Sequence, residues 1–541
     1  MGKARCAVAA FVLLGVAGVT CGESISVDWG RARKKVVAAG WEWNAMPFDR
    51  ILEYADQIDA SGVDGISLRL RAMGKDGRMH VSSRVMNGYE WTDAMVSDQV
   101  ATLREATKHK GLRECFIWTL SAPTNRIDWK DDAIWGRVAR SMGVIARFAK
   151  ATGVRGYIMD PEDYHKQNQF EARPNDEPYD LLAPLARKRG REIFTEVFRA
   201  HPDAVVLGYW LFSWHSHHVN SENPMMSARR SGDLWPAFLN GILDVAPSTA
   251  KLVDGNEWAY RSEAEQNEFM ISAISQRNAV LGLVAPENRA KFRAQVFPGF
   301  GLYMDSYVSS VTNENGKTNP FYFGPVNGSR LGHFERNLAE AVECAGEYVW
   351  LWCESRSWVK WGEDVAKGLG VPRTRWEDEL PGVGRVIRAC TDPDAFLAKD
   401  FPKLLAAGKI VNIATNDYVA ASRQALHGKH DKKEESHRGA GYFHVEDPTA
   451  RPGQHYVVEA SGTGEGLEAV AYWQRRKDGW WRWRVPGHGL AFTKDATGRS
   501  SARAVVRVPE GVDCLAIQFR LHPPKGQDCE FDRIFVGRVT Y

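Results

Sequence analysis

Several features that mark particular function classes are scarce or missing in this sequence. Only 8 cysteines occur in 541 residues, and none falls in a CxxC pair or another zinc-finger spacing, which speaks against a thiolate zinc centre. An excess of one charge is also missing. The 70 Lys and Arg nearly balance the 67 Asp and Glu, and a net +3 gives no electrostatic reason for a nucleic-acid partner or general membrane adhesion. Beyond residue 19 no apolar run is long enough to cross a bilayer. No Gly-rich turn follows the first apolar run around Val37, so the usual sign of a dinucleotide-binding doubly wound sheet is missing.

What is present begins with an export-like leader. Met1-Gly2-Lys3-Ala4-Arg5 is basic, residues 6–19 are apolar, and Thr20-Cys21-Gly22-Glu23-Ser24 is small and polar. This pattern predicts a signal peptide over 1–22 and a secreted or periplasmic product. Gly18-Val19-Thr20 is a poor lipobox, so a lipid anchor on Cys21 is the weaker reading. Export permits disulfides, and Cys514 with Cys529 is the pair placed to form one; the other cysteines read as small buried apolar residues.

The length calls for at least two domains, and 44% apolar with 25% charged residues describes an ordinary globular protein. Short β-rich runs at 35–43, 65–71, 114–120, 155–160, 204–212, 251–257, 301–305 and 348–353 alternate with helical spacing. Examples of that spacing are Phe48, Ile51, Leu52, Ala55, Ile58, then Val138, Met142, Ile145, Ala149, and Phe334, Leu338, Ala341, Val342. Strict alternation predicts an α/β fold, a (β/α)8 TIM barrel over 30–408 with a terminal helical extension; an open doubly wound sheet is the alternative. The charged run within 421–438 reads as a solvated loop. Alternating runs at 455–460, 467–473, 502–508, 515–521 and 531–536 predict an antiparallel β-sandwich over 409–541. Val506-Arg507-Val508-Pro509-Glu510-Gly511 and Glu530-Phe531-Asp532-Arg533-Ile534 resemble the closing strands of jelly-roll carbohydrate-binding modules.

A barrel carries its chemistry at the C-terminal strand ends. There this sequence supplies Glu42 and Trp43, Arg69 and Arg71, Trp118, Asp160 and Glu162, Trp210, Asp254, Glu257 and Trp258, Tyr303 and Asp305, and Trp352 and Glu354. Carboxyls among aromatic faces suit glycoside hydrolysis, which needs one carboxyl as proton donor and another as nucleophile, base or stabiliser. The 20 Trp fit a sugar ligand, whose apolar C–H faces stack on indoles. Gly156-Tyr157-Ile158-Met159-Asp160-Pro161-Glu162 resembles the fourth-strand signature of chitinase-like barrels, which implies Glu162 as acid and Asp160 as its supporting carboxyl. It departs from that signature in having Ile158 where a further Asp stands and Pro161 between the carboxyls. Gly40-Trp41, Asp160-Pro161-Glu162 and Trp350-Leu351-Trp352-Cys353-Glu354 also resemble secreted barrel proteins of polysaccharide-degrading bacteria.

The expectation is therefore a glycoside hydrolase with Glu162 as general acid. Its partner is Glu354 or Asp305, with Asp160 and Glu257 as secondary candidates. Trp43, Arg69, Trp118, Trp210, His215, Trp258, Tyr303 and Trp352 are expected to bind substrate, and Arg69 and Arg71 favour an acidic or sulfated sugar. No cofactor or metal is implied. A non-catalytic glycan-binding barrel is the second reading. A metal-dependent hydrolase or deacetylase using His215 and His217 is the third, disfavoured because strand alternation points His218 away from the other two.

Overall fold

A computed structural model describes residues 33–308, 321–414, 441–475, 482–483, 488–522, 527 and 529–540. The expected leader, with Cys21, and the charged run of 421–438 lie outside them.

The parallel strands are β1 Lys35–Gly40, β2 Gly65–Leu68, β3 Phe116–Thr119, β4 Gly156–Met159, β5 Val205–Gly208, β6 Lys251–Asp254, β7 and β8 Tyr348–Cys353. β7 comes in two pieces about Gly299: Val296–Pro298 pairs with β6, and Phe300–Tyr303 pairs with β8. Because β8 pairs in turn with β1, the ring of neighbours closes through β7. The fold is a (β/α)8 barrel with antiparallel sheets after it. The eight expected strands all appear, seven of them with shorter C-terminal ends and β8 with the expected one.

Helices cover the outside for the reason their spacing gave. On α1, Ile51–Ser61, the stripe Ile51, Tyr54, Ala55 and Ile58 is buried. On α3, Asp132–Thr152, Val138, Met142, Ile145 and Ala149 are buried, the Asp131 carboxylate caps Ile134 N–H at 2.9 Å, and left-handed Gly153 ends the helix. The helix before β8, Arg330–Cys344, buries Phe334, Leu338, Ala341 and Val342.

Strand parity sorts the two cores. Val36, Ala38, Ile66, Leu68, Leu351 and Cys353 face the helices, while Val37, Ala39, Phe116, Ile158, Val205, Leu207, Val253, Tyr348 and Trp350 fill the barrel. Trp350 is the fully buried Trp of this interior. Its ring stacks on Tyr209 at 4.1 Å, and its Nε1 donates to Gly255 O at 2.8 Å. Gly301 makes room for that ring, since a Cβ there would lie 2.5 Å from it. Gly301→Ala is expected to destabilise by about 1–3 kcal/mol, seen as a lower urea midpoint at unchanged slope.

After β8 and its helices, the chain forms two antiparallel sheets. One contains Ile410–Asn412, Glu530–Val539, His455–Thr463 and Ser500–Arg507; the other contains Gly441–Asp447, Cys514–Leu521 and Leu467–Arg475. Apolar residues between them, among them Val458, Ile517, Phe519 and Phe531, form a separate core. The sandwich is fastened to the barrel by Arg336 against Glu510, twice at 2.7 Å, and by Glu335 against His455. Beside them Phe401 and Leu404 pack with Val457 and Val539. Cys115 and Cys353 are buried, as are Cys514 and Cys529, whereas Cys344 and Cys390 are half-buried. No described helix is long and apolar enough to cross a membrane.

Candidate active site

The interior parity of each strand continues past its end, and the side chains reached that way line the mouth. From β4, Ile158 points into the barrel, so Asp160 follows on the same side and is wholly buried. Its Oδ1 accepts Glu162 N–H at 3.2 Å, a local turn that holds Glu162, half-buried, at the rim. Tyr164 follows them at the rim, and burial with the charges of Asp160 and Glu162 pushes its hydroxyl up. From β6 the same parity leads to Glu257, also half-buried.

Electrostatics ties these groups together. Burial, with the negative charge of Glu162 added, pushes Asp160 up to about 8. Burial followed by the charges of Glu162 and Asp160 pushes Glu257 up to about 9. Among the described residues Asp160 Oδ2 has no hydrogen-bond partner, and neither does the hydroxyl of Tyr209, which is buried beside the same carboxyls. Acids that keep their protons at neutral pH are what proton donation there requires.

β7 and β8 supply the opposite wall. Glu354 is exposed, with one oxygen held by Tyr303 OH at 3.1 Å and the other by Trp352 Nε1 at 2.8 Å. Its pairing is with these aromatics rather than with Arg356. Asp305 is buried, and both its oxygens are engaged: Oδ2 by Glu354 N–H at 2.9 Å, Oδ1 by the Ser355 hydroxyl. Burial outweighs those hydrogen bonds and raises its pKa to about 6. Asp305 thus holds the segment that carries Glu354.

Aromatic rings stand on two sides. Trp41, 47% exposed, lies against Trp118 and Trp352 at 6.2 and 5.7 Å. Trp258, also 47% exposed, meets Trp210 edge-on at 4.8 Å. Trp118 and Trp210 are themselves buried and back these faces. Arg69 lies over Trp118 at 4.9 Å, and its Nε is buried with no hydrogen-bond partner among the described residues. Burial and the like charges of Arg71 and Arg84 lower the Arg69 pKa to about 10.

Three expectations need correction. Trp43 is 0% exposed and belongs to the outer core, so it offers a sugar no face. The cause is Gly40, whose φ of +143° starts a helical turn, Trp41–Ala45, that rotates Trp43 inward and leaves Trp41 at the mouth. Glu42, expected at the mouth, is buried instead; it accepts Trp358 N–H at 2.9 Å and Trp361 Nε1 at 2.8 Å, with burial raising its pKa to about 7. Asp254 likewise serves the backbone, accepting Leu211 and Ser213 N–H at 3.0 and 2.7 Å.

His215 is 1% exposed and lies by Asp233 and His218, not His217, which is exposed. Alternation fails here because Phe212–Val219 is helical, and residues three apart on a helix share a face. His215 therefore sits outside the carboxyl cluster, on a cavity of about 320 Å³ lined by Pro161, Asp163, Phe170, Trp214, His217, Asp233 and others. The candidates missed from sequence are Trp41, Tyr164, Tyr209, Arg84, His218 and Asp233. Strand parity alone would have found Trp41 and Tyr209.

No family model matches the chain, and no curated protein does. Among solved structures it is similar to a GH18 chitinase from Pseudoalteromonas aurantia at 11% identity and a TM-score of 0.30, over 62% of this chain and 98% of that one. A structure described as a glycoside hydrolase gives 10%, 0.34, 92% and 93%. A D-allulose 3-epimerase from Methylomonas sp. gives 12%, 0.34, 66% and 96%. Likenesses this distant assign no reaction.

Proposed function

We propose that this protein is a secreted glycoside hydrolase that cleaves a glycosidic bond of an extracellular poly- or oligosaccharide. The observation that carries the reading is the gathering of Asp160, Glu162 and Glu257 at one mouth, two of them protonated at neutral pH, beside the exposed faces of Trp41 and Trp258. Glu257 takes the role of proton donor, because it reaches the rim and holds its proton up to about pH 9. Glu162, given that role on resemblance alone, becomes its carboxylate partner. Asp160 is too deep to touch substrate and positions Glu162 through the turn. Glu354, fixed by Tyr303 and Trp352, holds sugar hydroxyls. In this reading residues 409–541 are an appended carbohydrate-binding-type domain.

The test is release of reducing ends from a panel of plant, algal and host-type glycans by wild type and Glu162→Gln. Release by wild type that the variant loses supports hydrolysis; equal binding by both proteins without release supports a glycan-binding barrel instead. The charge at the mouth narrows the panel. Arg69, Arg71 and Arg84 repel one another and form no ion pair among the described residues; Arg71 donates to Asn44 O and Arg84 to Thr124. The favoured substrates are accordingly glycans bearing carboxylate or sulfate. On such a substrate Arg69→Gln is expected to raise KM about tenfold or more with kcat less affected. Unchanged KM would remove the anionic-sugar assignment.

A further inference from the structure

Three metal-ligand side chains that are not part of the carboxyl cluster meet where the β5 loop touches the segment before the next barrel helix. The Asp254 carboxylate holds Leu211 and Ser213 through their N–H groups, which fixes the start of the helical stretch Phe212–Val219. One helical turn then puts His215 and His218 on a common face, with ring centroids 5.4 Å apart and nearly parallel. The third group arrives from a separate element. Helix Pro224–Ser231, capped by the Asn223 side chain, ends at left-handed Gly232 and delivers Asp233. Asp233 Oδ2 lies 2.6 Å from His215 Nδ1 and 3.0 Å from His218 Nε2.

We propose that His215, His218 and Asp233 form a binding site for one divalent transition-metal ion of the zinc class, with a coordination position open to the adjoining cavity. Two imidazoles and a carboxylate are the donor set such an ion takes, and the three ligand atoms all lie within 4.8 Å of one another. A tetrahedral ion about 2.0–2.1 Å from its ligands holds them about 3.3 Å apart, so a shift below about 1 Å admits it. Outer partners are already in place. His218 Nδ1 is 2.9 Å from the Ser227 hydroxyl, which leaves Nε2 for the ion, and Asp233 Oδ1 accepts Trp235 N–H at 3.1 Å.

Two further observations point to a ligand rather than to a closed ion pair. His215 is 1% exposed, yet its Nδ1, the ring nitrogen that faces Asp233 Oδ2, makes no hydrogen bond of good geometry among the described residues, an expensive state for a buried nitrogen with only protein around it. The site also opens onto space: the cavity of about 320 Å³ has His215, Asp233 and His217 in one wall and Trp214, Phe170 and Trp235 around them. Three protein ligands beside such a cavity leave a fourth place for water or another small oxygen donor. The group Asp56, Asp59 and His109 has similar composition, but Asp56 is exposed and the other two only half-buried.

The test does not depend on hydrolysis. The purified protein is stripped with a chelator, then titrated with Zn²⁺ by calorimetry and with Co²⁺ by visible absorption. The expected result is one equivalent bound per chain at micromolar or tighter affinity, with a Co²⁺ spectrum of tetrahedral type. Asp233→Asn and His218→Gln, checked for native circular dichroism, are each expected to weaken binding at least about 100-fold. Asp59→Asn is expected to change nothing. Folded wild type that takes up neither ion overturns the proposal. Uptake that survives both ligand variants, or is lost in Asp59→Asn, overturns it equally.

Discussion

Glu257→Gln is expected to lower kcat/KM on an unactivated glycoside by about 10²–10⁴ while leaving KM nearly unchanged. A sugar leaving as an alkoxide must be protonated as the bond breaks, and Glu257 is the rim carboxyl that burial and its acidic neighbours keep protonated up to about pH 9. The sign follows from the donor's role. The protonated form is the active one, so wild-type activity falls as pH rises through about 9, and the variant lacks that alkaline limb. A substrate with a good phenolate leaving group needs little proton assistance and should lose far less. Glu162→Gln removes the carboxylate partner and should cost activity on both substrates alike. If instead Glu162→Gln shows the leaving-group dependence and Glu257→Gln does not, the two roles are exchanged and the assignment made on resemblance returns.

Asp160→Asn is expected to stabilise the protein near neutral pH while keeping Glu162 in place. Folded Asp160 titrates at about 8 against an ordinary 3.8, because it is wholly buried and lies beside the Glu162 carboxylate. Between those two values the folded chain holds a proton that the unfolded chain has released, so stability declines as pH climbs from about 4 to about 8. Asn keeps the acceptor for Glu162 N–H and removes the titration. The gain should be on the order of 2 kcal/mol near neutral pH, after allowance for local relaxation, and should vanish near pH 4. Urea unfolding at the two pH values measures it; an equal change at both would mean the site is not the source. A carboxyl kept at such a cost to stability fits a functional demand rather than a packing one.

How much of this was legible in the sequence varies by element. The strands were, because buried parallel strands are short apolar runs and the helices between them repeat every three or four residues: Val138, Met142, Ile145 and Ala149 could be read as a stripe and are one. The carboxyl cluster was legible in part, since Asp160 and Glu257 follow interior strand positions by simple parity. The errors lie where the backbone leaves the strand. Gly40 turns the chain into a helix one residue before Trp41, and Phe212–Val219 curls where alternation was assumed, so Trp43 was chosen over Trp41 and His217 over His218. Asp233 was not legible, because it comes to His215 across a helix and a turn, and no local pattern marks that meeting. Which of two neighbouring carboxyls keeps the proton depends on depth and on charges from other strands, neither of which a linear motif carries.

The most direct test of the account is product release from carboxylated and sulfated glycans by wild type and Glu257→Gln, followed across pH on the best substrate. Reducing ends released by wild type, with a rate falling above about pH 9 and nearly abolished in the variant, is the predicted result. Equal rates from the two proteins, or tight binding with no release by either, would contradict it.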